Sequence, residues 1–167
     1  QEPFSLFRLG VPGYEKLQEG LAVLAEYLVG GLTNNRLRIL AGRVIAVHHM
    51  QQGGSFIDTF SVLVDKYQFL TETAFQMTMR VYRSGGLTKD ALYLSGLIEL
   101  TNYIKSGRDL SLLTMGKIRE DYIPIVEELM LKGVLKAPVL TPRYLMDPYK
   151  DALLQLKKSN GIFQMIQ

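Results

Sequence analysis

Glycine breaks constrain this chain more than any other feature. Gly30-Gly31, Gly53-Gly54, Gly85-Gly86, Gly107 and Gly133 each close a stretch whose apolar residues recur at helical spacing. Residues 14–29 carry Leu17, Leu21, Leu24 and Leu28 on one stripe. Residues 35–52, with Asn34 or Asn35 as N-cap, carry Leu37, Leu40, Ala41, Val44 and Val47. Ser55 and Asp58 have capping-box spacing for a helix over 56–67. Thr71 caps 72–83, and Thr88 with Asp90 opens a helix that runs to about Ser106. Residues 117–132 read as a sixth helix, with Pro124 expected in its first turn or at a kink. Pro138, Pro142 and Pro148 mark an extended crossing, and a last helix covers 148–158. Only 134–140 is a candidate strand. The expected fold is mostly α, a single helical domain over 1–167 of about six to seven helices. Residues 1–13 form an irregular lead, 14–133 a helical body, and 134–167 an extended segment plus C-terminal helix.

Composition excludes several classes. With 167 residues, 47% hydrophobic and 21% charged, the chain is globular and long enough for a core. A net charge of +3 is too small to argue for nucleic acid. The absence of cysteine removes disulfides and thiolate metal sites, and fits a reducing, cytoplasmic setting. The longest apolar stretch, 21–32, is broken by Glu26 and falls short of a membrane span. No signal peptide is visible, and the first residue is Gln. The glycine pairs lack a Walker or dinucleotide pattern, so C-capping explains them.

Three groups of polar residues stand out. Glu15, Glu19 and Glu26 fall opposite the leucine stripe of 14–29, where a carboxylate row ordinarily faces solvent. Gly20 costs about 1 kcal/mol relative to Ala inside a helix, which suggests close packing of a neighbouring helix or of a substrate backbone. His48 and His49 point about 100° apart and do not make an i, i+4 ligand pair. His48 falls on the apolar stripe and is expected to be a packed, hydrogen-bonded core residue. On 72–83, Phe75, Met79 and Tyr82 share a face expected to pack inward, and Gln76, Arg80 and Arg83 share another. Those arginines either pair with the acidic face of the 14–29 helix or face solvent, unless they bind an anion. Asp90 sits where a helix dipole favours it, beside Lys89.

The run Gln18-Glu19-Gly20-Leu21-Ala22, the Arg80-Val81-Tyr82-Arg83 segment and the Leu87-Thr88-Lys89-Asp90 segment, in this order and spacing, resemble the QEGLA-motif proteins. Those are labelled as modulators of flavohaemoglobin expression and are similar to the microtubule-associated tyrosine carboxypeptidases. The resemblance spans residues 4–149 and implies a gluzincin-like zinc metallopeptidase in which Glu19 is a metal ligand. It implies a His-Glu-x-x-x-His helix upstream, and no such motif occurs in these 167 residues. The chain therefore resembles the C-terminal part of a carboxypeptidase, itself inactive, whose zinc belongs to the longer protein. A carboxypeptidase needs a fixed cation for the substrate's terminal carboxylate, which makes Arg80 and Arg83 candidates, with Lys89 able to reach it as well. Tyr82 is the candidate for stabilising the oxyanion. The implied partner is the C-terminus of a peptide or protein, an aromatic residue in the animal relatives. A homodimer through the face left open by the missing segment is a further expectation. Two other readings stand beside this one: a non-enzymatic regulatory or interaction module, and a helical domain binding a small apolar ligand among its Met and Tyr residues.

Overall fold

Caps and glycines cut the chain into helices much where the sequence places them. A computed structural model describes residues 5–83 and 89–158. Among the described residues there are eight α-helices and no strand. They are α1 (Ser5–Leu9), α2 (Tyr14–Leu28), α3 (Asn34–Gln51), α4 (Phe56–Ser61), α5 (Thr71–Arg83), α6 (Leu92–Lys105), α7 (Ile123–Leu131) and α8 (Lys150–Lys158). Gly30, Gly53, Gly107 and Gly133 all have positive φ just beyond a helix end, the conformation that glycine adopts without steric cost. Ser55 and Asp58 form both bonds of a capping box at α4, as expected. No helix among the described residues is long and apolar enough to cross a membrane.

Several boundaries depart from expectation for local reasons. Within the lead 1–13, residues Ser5–Leu9 are helical rather than irregular. This segment is tied down by Val11 N–H to the Lys117 carbonyl at 3.0 Å and Lys117 N–H to the Phe7 carbonyl at 2.9 Å. Those bonds also take the Lys117 backbone out of a helix, so the helix expected over 117–132 begins only at Ile123, with Pro124 in its first turn. Thr33, not Asn34 or Asn35, is the N-cap of α3, its Oγ1 accepting from Arg36 N–H at 3.1 Å. The helix expected over 56–67 widens into a π-helical stretch, Val62–Lys66, after α4. The candidate strand 134–140 is not a strand: Val139 and Leu140 are exposed, and the described residues contain no strand to pair with. The Thr88 cap and the Gly85-Gly86 break lie outside the described residues.

The core has two clusters joined by α3. Leu17, Leu24, Leu37, Leu40, Leu97, Leu100, Ile104, Ile123 and Leu156 belong to the larger. Ala46, Val47, Leu63, Phe69, Ala74, Met77 and Val81 form the smaller. On α2, Leu17, Leu24 and Leu28 are buried as expected, but Leu21 is half-exposed and Gly20 and Val23 are buried in its place. Gly20 faces Gly96 of α6, so the two backbones touch with no side chain between them. The inward face of α5 is rotated from the expected one. Ala74, Met77, Thr78 and Val81 are buried, while Phe75 is 47% exposed. Small side chains suit the close approach to α3, where Gly42 lets Phe69 and Met77 in. Phe75 and Tyr82 instead stand edge-on to Phe56 of α4, with ring centroids 5.7 and 5.6 Å away.

Candidate functional site

On α2, Glu19 stands at the margin of the buried Leu17–Leu24 side, next to Gly20, and reaches toward the start of α6. There a short 3₁₀ turn, Lys89–Ala91, precedes the helix. Lys89 Nζ lies 3.2 Å from Glu19 Oε1. Tyr93, the second residue of α6 and one turn beyond Lys89, has its phenol within electrostatic reach of the Glu19 side chain. Burial and the Glu19 charge push the Tyr93 phenol above its ordinary pKa, so it stays a protonated donor. The hydrogen bond to Glu19 raises the Lys89 ammonium pKa, so it stays charged. Glu19 is only 19% exposed and held by Lys89, so the carboxylate row of α2 is not a plain solvated face. Glu26 is tied as well, by the Arg36 fork at 3.1 Å through each oxygen.

Next to Lys89, Asp90 is buried at 1% exposure. Arg80 Nε donates to its two oxygens at 2.8 and 2.9 Å, and Arg43 Nη1 of α3 lies 3.4 Å from Oδ1. Desolvation lowers the Arg43 pKa, and the Asp90 charge works against that shift. Arg43 Nε is buried and has no hydrogen-bond partner among the described residues. Arg43, Arg80 and Arg83 open onto a groove of about 450 Å³ between α3 and α5, with Ile39, Gln76 and Met77 among its walls.

Of the residues singled out in the sequence, Glu19, Lys89 and Arg80 come together around one surface, and Arg83 lies on the groove beside it. The Tyr82 hydroxyl is engaged elsewhere. It donates to the carbonyls of Gly54 and Ser55, the latter at 2.9 Å, and stands 2.7 Å from Thr59 Oγ1. His49 Nδ1 meets the same Thr59 oxygen at 2.9 Å. The expectation for the histidines is reversed: His48 is exposed, and His49 is the packed, hydrogen-bonded one. Ala46 and Val47 take the core positions, which turns His48 outward by one helical step. Sequence reasoning gave Arg43 and Tyr93 no role, and it placed Asp90 only as a helix-start residue. Helical phase gives the face a residue occupies but not what another segment brings to it.

Among the described residues no group of three or more His, Cys, Asp or Glu side chains is arranged to hold a metal. No curated protein and no solved structure matches the chain. A family model described as microtubule-associated tyrosine carboxypeptidase matches residues 1–161. The chain belongs to the microtubule-associated tyrosine carboxypeptidase family.

Proposed function

We propose that this chain is the part of a zinc-dependent carboxypeptidase that supplies one metal ligand, Glu19, and the cations that grip the substrate's terminal carboxylate. The observation that carries this is the convergence of α2, the Lys89–Ala91 turn, α5 and α6 on one surface with Glu19 at its edge and arginines beside it. By themselves the described residues do not make a zinc site, since a catalytic zinc takes three protein donors. In this proposal the other two donors are histidines from outside these 167 residues. Zinc, when bound, supplies an acidified water and polarisation of the scissile carbonyl.

The chain's own residues prepare that site. Lys89 binds the Glu19 carboxylate from one side and fixes its orientation, with the Tyr93 phenol nearby, as groups around metal ligands commonly do. Asp90 fixes Arg80 through Nε, which leaves the outer nitrogens of that guanidinium to a ligand. Arg80 and Arg83 then receive a carboxylate, for which the planar Arg fork is well matched. Tyr82 serves as a strut between α4 and α5 in this scheme, its proton already committed to a carbonyl.

The family description supports release of a C-terminal residue, tyrosine first among the substrates to try. The test is mass spectrometry of peptides ending in tyrosine, as free acid and as amide, incubated with the complete gene product. Loss of the last residue from the acid but not the amide is expected. Internal cleavage, equal cleavage of the amide, or no cleavage by a zinc-loaded protein would contradict it.

A further inference from the structure

Arg43 carries more than its place in the core explains. Its side chain is 19% exposed and its Nε is buried without a partner among the described residues. A buried, unpaired N–H is costly, so each one calls for a physical reason. Desolvation also works against its charge, with Asp90 only partly offsetting this. Yet Arg43 lies on the wall of the same groove as Arg80. An anion in that groove would offset the Arg43 charge where Asp90 does so only in part. The charge count narrows the choice. Arg43, Arg80 and Arg83, set against Glu72 on the groove wall and Asp90 beside it, leave one net positive charge, which suits a monoanion better than a dianion. Ile39 and Met77 beside them offer apolar surface for whatever the anion is attached to.

We propose that Arg43 is a further anion-binding residue beside Arg80 and Arg83, that their groove takes the α-carboxylate of a peptide's last residue, and that Asp90 is the positioning residue for the Arg43 and Arg80 guanidinium groups. The identity of the ligand rests on the carboxypeptidase reading, but the binding itself needs no metal. Asp90 holds Arg80 by Nε and Arg43 by Nη1, so each guanidinium keeps N–H donors for the groove. The apolar wall beside them then accepts the side chain of the terminal residue.

The test uses the 167-residue chain without zinc, titrated with N-acetyl-phenylalanine, with N-acetyl-phenylalaninamide and with inorganic phosphate. The readout is NMR of the arginine Nε–Hε signals, assigned with Arg43→Lys and Arg80→Lys. Saturable shifts of Arg43 and Arg80 by the acid are expected, with none from the amide and weaker binding of phosphate. Arg43→Lys, which keeps charge but loses the fork, should weaken the acid by about tenfold. Equal effects of acid and amide, no binding of the acid, tighter binding of phosphate, shifts confined to other arginines, or unchanged affinity in a folded Arg43→Lys would each overturn the proposal. Should Arg43→Lys fail to fold, the acid-against-amide comparison on the unsubstituted chain decides. Failure here, with zinc absent throughout, leaves the metal-dependent reading to its own assay.

Discussion

Gly20→Ala probes how Glu19 is held in place, because Gly20 is where α2 touches α6. A Cβ at residue 20 would stand 2.5 Å from the Gly96 carbonyl carbon, 2.7 Å from its oxygen and 2.9 Å from its Cα. Ordinary carbon contacts lie near 3.5–4.0 Å, so the helices must part by about 1 Å. All three neighbours are backbone atoms, and no rotamer change relieves the contact. Parting the helices loosens Leu17, Leu24, Leu97 and Leu100, which are at most 6% exposed. Overpacking of a core ordinarily costs about 1–3 kcal/mol, and a contact against backbone belongs at the upper end. Alanine returns about 1 kcal/mol through its better helix propensity. The expected net loss is about 2 kcal/mol. In urea unfolding this appears as a lower midpoint with unchanged slope. In thermal unfolding it lowers Tm by roughly 4–8 °C. Stability equal to or above that of the parent would refute backbone contact between the helices, since only the propensity gain would then remain.

Asp90→Ala leaves Arg43 desolvated without its carboxylate, and a loss of about 3 kcal/mol in denaturant unfolding is expected. A loss no larger than an ordinary surface change would show that the buried pairing contributes little. Tyr82→Phe removes the donor to Ser55 and Gly54 and should cost about 1 kcal/mol in the same assay. It should not alter binding of N-acetyl-phenylalanine, and altered binding would return Tyr82 to the site. Burial pushes the Tyr103 phenol from 10 up to about 12. Between those pH values the unfolded chain releases this proton and the folded chain retains it, so stability falls as pH rises. The slope is up to about 1.4 kcal/mol per pH unit. Tyr103→Phe should lose that part of the alkaline dependence, measured as the difference between the two proteins' unfolding midpoints. Identical alkaline slopes would argue against it.

Helix number and breaks were legible because they depend on short-range chemistry. Gly30, Gly53 and Gly133 end helices through φ values that other residues resist, and Ser55 with Asp58 closes a capping box within four residues. Features that depend on distant partners were not. Lys117 is diverted by Phe7 and Val11, more than a hundred residues earlier, so its local helical pattern loses. On α5 a shift of the buried face by one helical step sends Phe75 outward, because Gly42 of α3 admits Met77. The same step separates His48 from His49. Glu19, Arg80 and Lys89 were recognisable as a set only through family motifs. Arg43 lies in a helix whose pattern marks it as ordinary, and its tie to Asp90 spans 47 positions of chain.

The most direct measurement is the zinc content of the complete gene product, of its Glu19→Ala variant and of this 167-residue chain, each purified without chelator and checked for folding. One zinc per molecule in the first, lost or greatly weakened in the second and missing from the third, is the expected result. Full zinc occupancy in a folded Glu19→Ala variant would contradict it, because Glu19 would then be no ligand.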